Sequence, residues 1–233
     1  MKSIVILTGA GISAESGLPT FRGPDGLWEG HRPEDLATPE AFQHDPVLVH
    51  RFYNTRRAAL RTVQPNAAHH ALARLQNLSA TPVHIITQNV DDLHERAQTP
   101  RVLHMHGELT KIRCSHCEHI TTWEADLDSA TPCPACQRPA GLRPHIVWFG
   151  EIPQHLDTIA ALLQDASLFV AIGTSGHVYP AAGFVSMARA HGAHTLEINN
   201  ADTLISHDFH SRRTGPATEE VPAWIQEVLS SQG

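Results

Sequence analysis

Four cysteines stand in two C-x-x-C pairs, Cys114 with Cys117 and Cys133 with Cys136, and 15 residues separate the pairs. Each pair turns two thiolates toward one point, and two pairs close the four-sulfur shell that tetrahedral zinc prefers. A closed shell leaves no open position, so one ion held there is structural. The competing reading is four reduced core cysteines or a redox pair. The nearby His116 and His119 are surplus to four ligands and are expected in solvent.

Three further groups could do chemistry. The tract Gly9-Ala10-Gly11-Ile12-Ser13-Ala14 fits G-x-G-x-x-G/A after an apolar run. Glycines there let a backbone approach a pyrophosphate, and the helix that follows would offer amide groups to it. A tight packing turn is the alternative reading of the same glycines. A dehydrogenase would need a second strand ending in an acidic residue about 20 residues on, and none follows here. His104 and His106 have like parity and face one side if the segment is extended. Spacing does not choose between them as a general base. The polar run Gln88-Asn89-Val90-Asp91 ends a second apolar run, where it serves either a ligand or a helix cap.

These groups need elements to position them. Apolar runs at residues 4–7, 83–87, 168–172 and 194–198 read as parallel strands buried on both faces. Helical patterns lie between them, at 67–78 and 155–164 among others, so the fold is expected to be α/β with a Rossmann-like parallel sheet. The four strand-end loops would gather on one side, where such sheets bind ligands. The large domain is expected over residues 1–108 and 144–233, with a strandless insert of loops and helices at about 19–63. The cysteine-bearing segment 109–143 is expected as a small zinc module, the whole forming one catalytic domain.

Residues 46–63 read as an amphipathic helix with Val49, Phe52, Tyr53, Arg56, Ala59 and Leu60 on one stripe. Arg57 and Arg61 are expected on its polar flank. An inward guanidinium needs an anion, since burying it unpaired is costly. An internal ion pair, or snorkelling of Arg56 to the surface, meets that need as well as a bound ligand does.

The 233 residues suffice for one large domain with an insert, and 41% hydrophobic with 18% charged residues is ordinary globular composition. A formal charge of −7 argues against nucleic acid as the main partner. No apolar run approaches a membrane span, and reduced C-x-x-C pairs suit a reducing cytoplasm. A monomer is expected. Most of the 18 histidines are scattered and read as surface or satisfied side chains.

The order GAGISAESGLPTFRGPDGLW, TQNVDDLHERA, HMHG, paired C-x-x-C, GTS resembles the sirtuins from end to end. The resemblance implies an NAD-dependent protein-lysine deacylase with one structural zinc. It selects His106, before Gly107, as the catalytic base, with Asn89 assisting. It puts Gln88 and Asn89 on the ribose side of NAD and Val90-Asp91 on the nicotinamide amide. It adds Phe21, Arg22 and Trp28 of FRGPDGLW to the cofactor loop, and Gly173-Thr174-Ser175 as a second phosphate and ribose loop. It makes Asn199 an adenosine-ribose contact, although the following Asn200-Ala201 departs from the common Leu-Glu. It assigns Ala217 to the adenine cover.

Tyr53-x-x-Arg56 is similar to the signature of the class III members, which act on succinyl- and malonyl-lysine. Together phenol and guanidinium could clamp a carboxylate. Ala37 resembles the small residue that widens this pocket. Val147, Phe149 and Gly150 of HIVWFGE resemble the edge where a peptide adds as a strand. The tracts at 66–69 and 143–151 look like bacterial members, which implies deacetylation as a second activity. The products implied are nicotinamide, O-acyl-ADP-ribose and free lysine. The alternatives are ADP-ribosyl transfer from the same NAD and a non-catalytic NAD or ADP-ribose sensor.

Overall fold

A computed structural model describes residues 2–20 and 32–231. Phe21, Arg22 and Trp28 lie outside the described residues. The chain begins with β1 (Ser3–Thr8) and a single turn of helix, α1 (Gly11–Ala14). Next come α2 (Pro39–His44), α3 (Pro46–Leu60), α4 (Ala67–Leu78), β2 (Val83–Thr87), α5 (Leu93–Arg96) and β3 (Val102–His104). Strands β4 (Gly107–Cys114), β5 (Ile120–Thr122) and β6 (Leu142–Ile146) follow. The chain closes with α6 (Leu156–Gln164), β7 (Ala166–Ile172), α7 (Phe184–Ala190), β8 (His194–Asn199), β9 (Ser211–Thr214) and α8 (Ala217–Ser230).

Six strands form a parallel sheet in the order β3-β2-β1-β7-β8-β9. The two-residue period of a strand sends Ile4 and Ile6 to one face and Val5 and Leu7 to the other. Ile4 and Ile6 pack with Leu72 and Leu75 of α4 and with Val221, Trp224 and Ile225 of α8. Val5 and Leu7 pack with Ile159 and Leu163 of α6 and Phe184 and Val185 of α7. Both faces are therefore covered, which is why the central strands are near-continuous apolar runs. Strand order reverses between β1 and β7. The loops after β1, β2, β7 and β8 open a crevice at that switch point.

Strands β5-β4-β6 form a second, antiparallel sheet. Its ladder extends beyond 109–143 on both sides, from Gly107 to Ile146. Its own core is small: Ile112, Leu127 and Leu142 around Cys114 and Cys133. A third cluster joins α3 to this sheet through Phe52, Tyr53, Leu60, Leu109, Ile146 and Trp148.

Helix α3 starts at Pro46 after Asp45, whose side chain caps it by accepting from Leu48 N at 2.9 Å. It ends at Leu60, three residues before the expected end. Arg57 is the main departure from the expected wheel: it is 3% exposed, deep against the small sheet and not on a polar flank. Its Nε donates to Leu109 O at 3.1 Å and its Nη1 to Asn54 Oδ1 at 2.9 Å and Ala125 O at 3.3 Å. Carbonyls of the neighbouring module engage its Nε and Nη1, a partner set that a single-helix wheel cannot display, while Nη2 is buried without a partner among the described residues. Among the described residues no helix is long and apolar enough to cross a membrane.

Candidate active site

The crevice holds a cleft of about 1160 Å³ lined by Gly9, Ala10, Gly11, Gln88, Asn89, Val90, His106, Gly173, Thr174, Ser175 and Asn199. The same cleft reaches Ala37, Tyr53, Arg56, Val147, Phe149 and Gly150 at its other end. A small chamber of about 60 Å³ adjoins it, lined by Ser13, Asn89, Val90, Asp91 and Arg56 among others. Residues up to 195 positions apart, Gly9 and Leu204, thus share one continuous surface.

The two histidines separate. Strand β3 ends at His104, and a turn takes Met105 and His106 out of the extended line. The turn closes on Gly107 at φ +81°, where a Cβ would lie 2.1 Å from His145 O. Glycine is required there by both conformation and space. His104 is buried, with Nε2 2.8 Å from Glu95 Oε1 and Nδ1 3.3 Å from Asn89 O. Burial lowers its pKa, but the Glu95 carboxylate more than offsets this and holds it above the usual value. His106 faces the cleft, and burial pulls its pKa down. Its Nδ1 lies 3.1 Å from Gln88 O.

Asn89, Ser13 and Asp91 form a buried knot. Asn89 Nδ2 donates to Gly9 O and to Ser13 Oγ, both at 3.1 Å, and Ser13 Oγ donates to Asp91 Oδ2 at 3.0 Å. Asp91 also accepts from Leu93 N at 3.1 Å, and burial raises its pKa against those bonds. Asn89 Oδ1 is buried and has no hydrogen-bond partner among the described residues. Behind the knot, His69 and Asn66 form a capping box on α4. His69 Nδ1 lies 3.3 Å from Asn66 N and 3.1 Å from Asn66 Oδ1, and its Nε2 faces Ser13 Oγ at 3.5 Å.

The glycines of the first loop serve packing directly. A Cβ at Gly9 would meet Gly173 O at 2.8 Å, and one at Gly11 would meet Gly173 Cα at 2.6 Å. Gly11 N donates to Gly173 O at 2.9 Å, and Ile12 N and Ser13 N both donate to the preceding turn at 3.1 Å. The expectation that α1 offers its first amides to a phosphate is therefore not met at residues 11–13. Gly11 N is taken by the interlock with the loop after β7, and Ile12 N and Ser13 N by Gly9 O and Ala10 O of the turn itself.

On the far side, Asn199 Nδ2 donates to Thr174 O at 2.7 Å, which joins the loops after β7 and β8. Buried Glu197 accepts from Thr203 Oγ1 at 2.6 Å and from Ser206 Oγ at 2.5 Å, fixing the loop that carries Asn200 to Leu204 along the cleft. Two expected contacts fall elsewhere. Ala217 begins α8 and is buried in the core with Ile12, and neither lines the cleft. A small apolar residue at a helix start fills core space as readily as it covers a ligand.

Tyr53 is buried at 3% exposure, with its hydroxyl accepting from Trp148 Nε1 at 2.9 Å. Burial pushes its pKa up to about 12, so it stays protonated. Arg56 sits one turn on, half-buried, with its guanidinium 5.5 Å from the Phe52 ring centre. Ala37 O accepts from Phe149 N and His106 O from Val147 N, both at 2.9 Å. Trp148, Arg143 and Glu151 were not among the expected site residues. The sequence signal available for them was an opposite-charge pair flanking an aromatic within an apolar run.

The four cysteine sulfurs lie within 4.8 Å of one another. The Cys114–Cys136 and Cys117–Cys133 separations are both 3.8 Å. A tetrahedral ion with bonds of about 2.3 Å sets its sulfurs about 3.8 Å apart, so the residues fit zinc. Amides of His116 and Ala135 point at Cys114 and Cys133 at 3.4 Å, which suits thiolates.

A model of the Sir2 family matches residues 9–180. The NAD-dependent protein deacylase of Escherichia coli (strain K12) is 53% identical over 228 residues, covering 97% of this chain and 82% of that protein. The NAD-dependent protein deacylase of Yersinia pestis is 53% identical over 232 residues, covering 99% of this chain and 84% of that one. A solved Sir2 homologue–NAD complex superposes with a TM-score of 0.91 at 39% identity, over 100% of this chain and 91% of that one. A Sir2 homologue bound to 2'-O-acetyl ADP ribose gives 0.91 at 38%, over 100% and 94%. This chain, with its interlocked glycine loops, cleft histidine and four-sulfur cage, belongs to the Sir2 family.

Proposed function

We propose that this chain removes acyl groups from protein lysines in an NAD-dependent reaction, and that it prefers succinyl and malonyl while also accepting acetyl. The deacylase relatives support the reaction class. The observation that carries the acyl preference is Arg56 and Tyr53 lining the same cleft as His106. A guanidinium gives a carboxylate a charge-assisted, bidentate partner, and a neutral phenol adds a donor. The small side chain of Ala37, buried on the same wall, leaves room for the longer acyl chain.

When bound, NAD supplies an electrophilic ribose carbon through departure of nicotinamide. Asn89, whose Oδ1 has no partner among the described residues, and the Asp91 knot suit polar groups of that molecule, and the Gly173-Thr174-Ser175 loop with Asn199 suits its far end. His106 takes the proton of a ribose hydroxyl on Nε2, since Nδ1 is occupied by Gln88 O. Walls on both sides hold the reactants in register, which is a large part of the acceleration available. The amides of Val147, Trp148 and Phe149 are spent within the protein, so an incoming peptide strand pairs with carbonyls of this segment. The zinc at Cys114, Cys117, Cys133 and Cys136 holds the small sheet that carries those residues. The chain acts as one catalytic domain, as a monomer in a reducing cytoplasm.

Mass analysis of a succinyl-lysine peptide incubated with enzyme and NAD tests the reaction. Free lysine peptide, nicotinamide and O-succinyl-ADP-ribose are expected. ADP-ribose attached to a protein would establish the transferase alternative. NAD binding without nicotinamide release would establish a sensor.

A further inference from the structure

Trp148 is 2% exposed, yet its indole N–H is directed at one atom, the Tyr53 oxygen, 2.9 Å away. The two residues are 95 positions apart and come from α3 and the loop after β6. The indole is held from its other face. The Arg143 guanidinium carbon lies 3.5 Å from the centre of the Trp148 rings. Arg143 is itself fixed by a fork to Glu151, at 2.6 and 2.9 Å, and by a bond to Ile146 O at 2.9 Å. Glu151 closes the loop by accepting from Trp148 N at 2.8 Å. Burial tends to raise the Glu151 pKa, and these donors reverse that and keep it ionised.

A phenol has one proton and can accept as well as donate. With its lone pair engaged by Trp148, the Tyr53 proton is directed to another acceptor. Donation from the indole also polarises the phenol and strengthens it as a donor. Without that N–H, the hydroxyl is free to turn and accept from a cation, which would remove it from a carboxylate ligand.

We propose that Trp148, held by Arg143 and Glu151, is a positioning residue that sets acyl specificity by orienting the Tyr53 hydroxyl toward an acidic acyl group. This rests on the carboxylate clamp proposed above. If the indole N–H were satisfied merely because it is buried, its loss would affect all acyl groups alike.

The test is a double-mutant cycle on the zinc-loaded full chain. The readout is kcat/KM for one peptide carrying succinyl-lysine or acetyl-lysine, with wild type, Trp148→Phe, Tyr53→Phe, the double variant and Arg56→Met. Trp148→Phe is expected to lower the succinyl-to-acetyl ratio roughly five- to tenfold, one hydrogen bond's worth, mainly through KM. In the Tyr53→Phe background the same change should alter the ratio less than about twofold. If Trp148→Phe does not fold, 3-benzothienylalanine at 148 keeps the ring shape and deletes only the N–H. An undiminished effect in the Tyr53→Phe background, or equal losses on both peptides, overturns the proposal. Selectivity that depends on Arg56 but not on Trp148 overturns it while the clamp stands. No succinyl selectivity in wild type removes clamp and proposal together.

Discussion

His106 Nδ1 lies 3.1 Å from the main-chain oxygen of Gln88, at the end of β2. A carbonyl only accepts, so Nδ1 carries the proton and Nε2 is the basic atom. Burial lowers the His106 pKa from its usual 6.5, and the Gln88 bond only partly restores it. The base must be neutral to act, so activity is lost as pH falls through that lowered pKa. The acid limb of the kcat/KM profile should fall below pH 6.5; a limb at or above that value would count against this assignment. His106→Tyr should reduce turnover at least about a hundredfold with zinc retained.

Gly107→Ala should displace His106. Its Cβ would sit 2.1 Å from His145 O at a φ of +81°. A clash with backbone plus left-handed strain costs about 2 kcal/mol or more. A lower Tm together with lost turnover is expected, and a fully active variant of wild-type stability would contradict the turn described here.

His69 should make the fold acid-sensitive. Burial first, then His70, lowers its pKa to about 4 from 6.5. Its folded pKa lies below its unfolded one, so the unfolded chain binds more protons between those values. The stabilisation is complete above pH 6.5 and is lost as pH falls toward 4. The most this one group can contribute is about 3 kcal/mol. Urea unfolding at pH 7.5 and pH 5 should show the loss, and His69→Gln should flatten it.

The small sheet should depend on its metal and α3 on the small sheet. Metal analysis should find one zinc per chain, lost in Cys117→Ser. Arg57→Met removes a guanidinium bonded to Leu109 O, Ala125 O and Asn54. It should cost about 2–4 kcal/mol while zinc is retained. Unchanged stability would mean that this contact does not tie α3 to the module.

The legible parts of the chain were those whose physics is local. β1, β2, β7 and β8 are buried on both faces, so they read as apolar runs, and Asp45-Pro46 and Asn66 mark helix starts. β3 and β9 lie at the sheet edges, and β9 (SRRT) is half exposed, so neither shows a run. Helix α8 carries Pro222 within it, which masks its pattern. The cysteine cage was legible because its spacing is its geometry. The choice of His106 over His104 came from resemblance, since the turn that parts them depends on the close approach of Gly107 to His145. Arg57 and Trp148 were not legible as anchors, because Leu109 and Tyr53 lie 52 and 95 positions away in the chain.

The most direct test of the acyl-specificity claim compares succinyl-lysine and acetyl-lysine in one peptide, with wild type and Arg56→Met. Strong succinyl turnover that collapses in Arg56→Met while acetyl turnover persists is the predicted result. Equal turnover of both peptides by wild type, with both reduced alike in Arg56→Met, would make Arg56 structural and the enzyme a general deacetylase.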